Sequence, residues 1–507
     1  MRALISVWDK SGLDDFATGL HELGVELVAS GGTAAYLEER GLPVTRVEAL
    51  TGFGEMLGHR VVTLHPAVHA GILARRDVEG DLADLERHGI EPFDLVVVNL
   101  YPFAEVAAQP GVAAAEAVEM IDIGGPTLLR AAAKNFAWVA PVCRPERYPE
   151  VLAEIRSGGL SAETRRRLAA ETFAATAAYE SAIAGWFAVE DFPATLVPAF
   201  VKELDLAYGE NPHQRAAYYR EASARSHLLS GVEQLGGREL SYNNLNDLAG
   251  ACRLAADLDG AACVIVKHAN PCGVAVAASI EEAYERALAA DPLSAYGGVV
   301  VLTQPVSPAL GARIAEHFVE VLLAPGFDDD ALAALRRKEA MRILAAPAGG
   351  GRAAELDYRR VPGGLLVQDA DAGADAQGSM TVVCGEPSGS DWDDLLFAWA
   401  VCRHVTSNAI VIARGRRTVG IGAGQMSRVD AVRIAVEKAR EHGHDLRGAA
   451  LASDAFFPFA DGPALALEAG VTAIVQPGGS KRDAEVVAAV EAAGAAMVFT
   501  GRRHFRH

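Results

Sequence analysis

Short apolar runs separated by amphipathic stretches set the rhythm of the first 142 residues. Ala3–Val7, Val25–Ala29, Val44–Val47, Leu95–Leu100 and Trp138–Val142 have the length and β-branching of buried strands. Between them, 13–23, 33–40, 81–88 and 126–136 place apolar residues at helical spacing. Strands alternating with helices predict a mostly parallel sheet with helices on its faces. Residues 146–187 then read as helical, Ala-rich and amphipathic. Phe192-Pro193-Ala194-Thr195-Leu196-Val197-Pro198 breaks that pattern, so the chain is expected to divide there, into domains 1–195 and 196–507.

The second half carries a faint internal echo. Residues 263–302 read as a strand ending in Lys267-His268, a Pro271/Gly273 turn, a short strand Gly273–Val276, a helix, and a loop into another strand. Residues 408–459 repeat that order, through Ala409–Ala413, Val419–Gly422, a helix near 429–441 and Ala449–Phe459. A two-copy α/β domain with its site between the copies accounts for the echo; chance similarity of common βαβ units is the rival reading.

Composition narrows the classes of function. At 507 residues the chain has room for roughly two to four domains. A net charge of −20 argues against a general nucleic-acid binder but leaves room for a small anionic substrate held by local cations. No window approaches ~18 consecutive apolar residues, so no membrane span is expected, and Met1–Val7 reads as a first strand instead of a secretory signal. The six cysteines are scattered without a C-x-x-C pair, which predicts reduced thiols in a cytoplasmic protein.

Several clusters bear chemistry. Ser30-Gly31-Gly32-Thr33 follows a strand and opens a helix, as a phosphate cradle does, although such turns also serve as plain caps. Lys10 offers a cation at the same end of the sheet. In Ile121–Asn135, Asp122 precedes a helix on which Arg130 and Lys134 share a face at i, i+4; Asp122 and Lys134 form either an acid–base pair or part of a surface helix. Asn99 and Tyr101 end another strand with an amide and a phenol suited to a planar polar ring. In the second half, Lys267-His268 places two proton-transfer groups at the carboxyl end of a strand, where open α/β sheets put their chemistry. A strand edge with a snorkelling lysine is the alternative.

The ordered motifs ALISVWDKSG, SGGTAAYL, TGFGEML, HRVVTLHPAVHAGILARR, DLVVVNLYPF and IDIGGPTLLRAAAKN resemble the cyclohydrolase half of the bifunctional purine biosynthesis family. LAYGENPHQ, VIVKHANPCG, DPLSAYGGVVVL, SNAIVIA, GIGAGQMSR, LASDAFFPFADG and the terminal RRHFRH resemble its formyltransferase half. The resemblance implies an α/β fold: an N-terminal methylglyoxal-synthase-like parallel-sheet domain, then a two-repeat cytidine-deaminase-like α/β domain. It implies formyl transfer from 10-formyltetrahydrofolate, a co-substrate, to 5-aminoimidazole-4-carboxamide ribonucleotide, and then dehydrative closure to inosine monophosphate. Lys134, Asp122 and Tyr101 would serve ring closure. Lys10, Ser30, Gly31, Gly32, Thr33, Arg60 and Thr63 would hold the nucleotide, and Asn99 its base.

In the transferase half the resemblance implies Lys267 and His268 as catalytic residues. Tyr208, Gly297, Glu320, Asn408, Arg428 and Arg503 would contact the nucleotide, with Arg428 and Arg503 as phosphate forks, and Asp461 and Ser480 the folate. It also implies a homodimer, with small-molecule partners only and neither nucleic acid nor membrane. The Pro271-Cys272-Gly273-Val274-Ala275 run lacks the second cysteine of a zinc deaminase, so no metal is expected. Four positions depart from the family pattern: Trp8 for serine, Val62 for lysine, Phe136 for histidine and Ala207 for arginine. They keep two alternatives open, a formyltransferase with a degenerate cyclohydrolase half and a non-catalytic nucleotide-binding regulator.

Overall fold

A computed structural model describes residues 1–222, 224, 226–346, 356–373 and 375–507. The chain divides into two units, Met1–Val201 with Tyr219–Arg225, and Lys202–Tyr218 with Ser226–His507.

In the first unit, β1 (Arg2–Val7), β2 (Glu26–Ala29), β3 (Val44–Arg46), β4 (Leu95–Asn99) and β5 (Ala140–Val142) form one sheet in the order β3-β2-β1-β4-β5. Every pairing is parallel. Both faces are buried: Ala3, Ile5, Leu27 and Val97 join one apolar cluster, Leu4, Val28, Val96 and Val98 the other. That explains why the strands read as continuous apolar runs. Val47, expected in a strand, instead starts the short helix Val47–Thr51. The helical reading of 146–187 holds for Tyr148–Arg156 and Ala162–Phe187, which are separated at Gly158 and Gly159, φ 123° and 120°.

The strands β6 (Phe200–Leu206) and β7 (Ala216–Glu221) pair as a two-stranded sheet. The second unit is then built twice over. In its first copy β8 (Glu233–Gly236), β9 (Ala261–Lys267), β10 (Asn270–Ala277), β11 (Gly298–Leu302), β12 (Val319–Ala324) and β13 (Arg342–Ala345) form a sheet ordered β10-β9-β11-β12-β13-β8. A small hairpin of β14 (Leu356–Val361) and β15 (Gly364–Asp369) follows. In the second copy β16 (Thr381–Cys384), β17 (Ile410–Ala413), β18 (Thr418–Gly422), β19 (Ala449–Ser453), β20 (Val471–Gln476) and β21 (Ala496–Phe499) are ordered β18-β17-β19-β20-β21-β16. Both sheets carry the same directions: an antiparallel hairpin, an antiparallel step, two parallel steps and an antiparallel edge strand. The echo read over 263–302 and 408–459 thus extends over 233–345 and 381–499.

Two 14-residue helices, Tyr242–Ala255 and Gly389–Cys402, occupy equivalent places and share one core with both sheets. Each opens on a capping box, Ser241 with Asn244 and Ser388 with Asp391. Other helices cover the outer faces. Their backbones come so close that a Cβ on Gly273 would stand 2.0 Å from the Ala287 carbonyl oxygen, and one on Gly420 2.1 Å from that of Ala435.

The turn after β9 differs from expectation. Pro271 and Gly273 lie within β10, at a bulge on an edge strand where a proline's missing N–H is tolerated. The chain reverses at His268-Ala269, two residues with φ 52° and 61° joining Lys267 directly to its partner Asn270. Two consecutive left-handed residues make this a type I′ hairpin. No helix among the described residues is long and apolar enough to cross a membrane.

Candidate active sites

The order of the first sheet reverses between β1 and β4, and α/β sheets bind ligands in the crevice beyond such a point. Three loops meet there. Asn99, ending β4, accepts from the backbone N–H of Trp8 (2.6 Å) and Asp9 (2.9 Å) and donates to the Asp9 carbonyl (2.8 Å). Its amide is thus engaged in shaping the loop after β1 instead of projecting freely toward a base. Thr33 donates to and accepts from Val7 at 3.1 Å, and Lys10 reaches the Val7 carbonyl, so Lys10 and Thr33 brace the same strand end. Burial lowers the Lys10 pKa. Gly31 has φ 46°, and Cβ atoms on Gly31 or Gly32 would meet open space. The helix Gly31–Glu39 therefore begins with accessible amides that lack intrahelical acceptors. Ser30 lies at its cap, 3.4 Å from Ser6 through the hydroxyls.

The Asp122 loop completes this corner. Asp122 Oδ1 accepts from Gly125 N–H at 2.7 Å, and a Cβ on Gly125 would lie 2.4 Å from Oδ2, so the glycine makes room for the carboxylate. Burial raises the Asp122 pKa, against the backbone N–H donors of Gly125, Tyr101 and Gly124. The Tyr101 phenol is raised too, by burial and then by the Asp122 charge. Tyr179, on the helix Ala162–Phe187, accepts from Asp122 N–H and donates to the Met120 carbonyl, both at 2.8 Å. Burial pushes that hydroxyl up to about 12, so it keeps its proton and can donate near neutral pH. The buried Thr63 hydroxyl faces Gly124, where a Cβ would stand 3.1 Å away. Arg60 is exposed and ion-paired with Glu119. Trp8, half exposed, packs edge-on against Tyr101 with centroids 5.1 Å apart.

Of the two readings left open for Asp122 and Lys134, the geometry favours the surface helix. Asp122 precedes the helix Gly124–Lys134 and Lys134 is its last residue. At a rise of about 1.5 Å per residue, roughly 15 Å of helix separates them. Within one chain they form no acid–base pair, because they stand at opposite ends of that helix.

In the second unit, Lys267 Nζ donates to the Tyr296 carbonyl (2.6 Å), beside Gly297, where a Cβ would stand 3.0 Å from Nζ. Gly297 has φ 71° and donates to the Phe318 carbonyl at 2.7 Å. Asp247, absent from the sequence reading, accepts from the backbone N–H of His268 (3.2 Å) and Ala269 (2.7 Å). One turn earlier on its helix, Asn244 donates to Glu320 at 3.0 Å. Lys267, His268, Gly297 and Glu320 are thereby gathered at one sheet end. A cleft of about 270 Å³ opens beside them, lined by Lys267, His268, Asn270, Cys272, Thr418 and Lys438 among others. Asn270 accepts from Thr406 N–H (2.8 Å), tying this corner to the segment that leads to Asn408.

Arg428 is 8 % exposed and engaged on both sides: Nη2 donates to Asn408 (2.6 Å), and Nη1 donates to Ser453 (2.8 Å) and pairs with the fully buried Asp454. A guanidinium enclosed this way is not an open phosphate fork, and nothing in the sequence marked Asp454 as its partner. Arg503 is exposed, its guanidinium over the Phe505 ring at 4.6 Å. Next to it His504 is buried between Asp371 and Asp375, and Trp399 Nε1 also donates to Asp375 (2.9 Å). Asp461 is exposed at the start of the helix Asp461–Ala469 and Ser480 is half-buried; Arg482 stacks on Phe459 at 4.9 Å and donates its backbone N–H to Ser480 Oγ. Tyr208 is half-buried, its carbonyl accepting from Tyr242 N–H. Lys202, five residues before Ala207, pairs with Asp205 (2.9 Å). Among the described residues no cluster of His, Cys, Asp and Glu could hold a metal ion.

Comparison with known proteins matches two family models, the second of which begins inside the first unit. Residues 12–127 match the MGS-like domain and residues 132–438 the AICARFT/IMPCHase bienzyme. The bifunctional purine biosynthesis protein PurH of Chloroflexus aurantiacus is 51% identical over 511 residues, spanning 100% of this chain and 99% of the relative. A solved structure, "Crystal structure of ForH", is 40% identical, covers 37% of this chain and 96% of its own, and superposes with a TM-score of 0.35. With one family model matching more than half of the chain and a relative matching all of it, the chain belongs to the AICARFT/IMPCHase family of bifunctional purine biosynthesis enzymes.

Proposed function

We infer that the second unit transfers a formyl group from 10-formyltetrahydrofolate to 5-aminoimidazole-4-carboxamide ribonucleotide, and that the first unit closes the product to inosine monophosphate. Identity over the whole length to a bifunctional relative carries this reading. The 5-amino group is a poor nucleophile because its lone pair is delocalised into the ring. His268 takes its proton as it attacks the formyl carbon, and the same imidazolium then protonates N10 of the leaving folate. Lys267 stabilises the oxyanion of the tetrahedral intermediate. Gly297, Glu320, Tyr208 and Asn408 position the nucleotide and Asp461 and Ser480 the folate. Because Arg428 is enclosed by Asp454, we assign it to orienting Asn408 and leave phosphate recognition to Arg503.

In the first unit, the open amides of Gly31 and Gly32, with Lys10, Ser30, Thr33, Arg60 and Thr63, receive the ribonucleotide phosphate and sugar. Asp122 and Tyr101 move the protons as the carboxamide nitrogen attacks the formyl carbon and water leaves. The closure is intramolecular, so proximity supplies much of the rate, and a site without a lysine at Val62 retains function. Trp8 stands beside Tyr101 as an aromatic wall for the heterocycle. Lys134, remote from Asp122 in its own chain, supplies a peripheral cation. We further infer a cytoplasmic homodimer, which light scattering on the purified chain would test.

The test of function is one coupled assay on the full chain with the aminoimidazole nucleotide and 10-formyltetrahydrofolate. Appearance of both tetrahydrofolate and inosine monophosphate is expected. Accumulation of the formamido nucleotide would identify a transferase alone, and no turnover a nucleotide-binding regulator.

A further inference from the structure

The two copies in the second unit end their hairpins in the same turn with different residues. His268 and Ala269 have φ 52° and 61°; in the second copy Gly415 and Arg416 have φ 61° and 54°. One carboxylate receives both N–H groups of each turn. Asp247 holds His268 and Ala269 at 3.2 and 2.7 Å; Asp394 holds Gly415 and Arg416 at 2.7 and 2.6 Å. Asp247 follows the capping Ser241 on its helix as Asp394 follows Ser388, at the same spacing. The anchor is therefore a property of the repeat. Its load differs: glycine enters the left-handed region without steric cost, whereas histidine does not. In the first copy the carboxylate must hold a turn that its own residues disfavour, and that turn carries the imidazole.

We propose that Asp247 is a positioning residue for formyl transfer. Its carboxylate, by gripping both turn amides, fixes the direction in which His268 presents its ring to the substrate amine. On the same helix face Asn244 fixes Glu320, so one helix sets two groups of the site from behind. The inference rests on His268 being the proton shuttle.

The second copy supplies the control. In the full chain, Asp247→Asn and Asp394→Asn each leave one turn amide without an acceptor and the other with a neutral one, and are expected to lower Tm by a similar few degrees. A displaced catalytic group costs up to about 100-fold in rate. Accordingly Asp247→Asn should lower kcat of formyl transfer by roughly 10- to 100-fold, with KM for both substrates within about 2-fold, while Asp394→Asn leaves kcat within about 2-fold. Asp247→Glu, which keeps the charge but shifts it by one methylene, covers the case in which the asparagine variant does not fold; it is expected to fold and to lose kcat. Equal kcat in the two asparagine variants, or wild-type kcat in Asp247→Glu, would overturn the proposal. His268→Ala reports on the underlying reading separately: undiminished transfer there removes the shuttle, whatever Asp247 does.

Discussion

The hairpins β9–β10 and β17–β18 agree in strand order, in the carboxylate beneath the turn and in the glycines that admit a helix backbone, yet differ where substrate would meet them. The first ends in Lys267-His268-Ala269, the second in Arg414-Gly415-Arg416. Everything the two copies share is explained by folding: shared capping boxes, shared anchors, shared close packing. What they do not share is an imidazole in a backbone region where glycine would be more comfortable. The second turn position is non-glycine in both copies, Ala269 and Arg416, so the difference falls on the first, where histidine replaces glycine, and marks that position as the one retained for chemistry.

That contrast can be broken in three ways. The largest expected effect is His268→Gly, which makes the first turn resemble the second. Formyl transfer should fall by about 1,000-fold, while stability rises by about 1 kcal/mol as the left-handed turn loses its strained residue. Ring closure, assayed with the formamido nucleotide, should be unchanged. Next, Gly273→Ala and Gly420→Ala probe what the copies have in common. Each places a methyl about 2 Å from a helix carbonyl, and each is expected to cost on the order of 3 kcal/mol in urea unfolding. Unequal losses would show that the copies are not mechanically equivalent. The smallest effect is Gly415→His, expected to destabilise by about 1 kcal/mol and to add no second transferase activity, since the strand position that matches Glu320 in that copy is Thr472.

The duplication was legible in the sequence because it is written in apolar runs, and buried strands must be apolar on both faces. The turn was not. Pro271 and Gly273 carry the usual signals for chain reversal, but the proline sits on an edge strand and the glycine yields to Ala287, leaving His268-Ala269 to reverse the chain. Side-chain partners far apart in sequence were also hidden. Arg428 read as a phosphate fork until Asp454 closed on it, and Asn99 read as a base-recognition amide until it was found holding the Trp8–Asp9 backbone. Asp122 and Lys134 shared a motif, but they stand at opposite ends of the helix Gly124–Lys134. Composition and spacing report which groups are present; what each is bonded to is settled by the fold.

Tyr179 bears on where this protein can be cut. Its hydroxyl clasps the Met120–Asp122 segment from a helix that begins at Ala162, well beyond the 12–127 span matched by the MGS-like domain. A fragment trimmed to that span would end inside the helix that follows Asp122 and would leave the Asp122 loop without its clasp. The smallest portable piece of the first unit therefore runs to Phe187, and anyone transplanting ring closure into another scaffold must carry that last helix along.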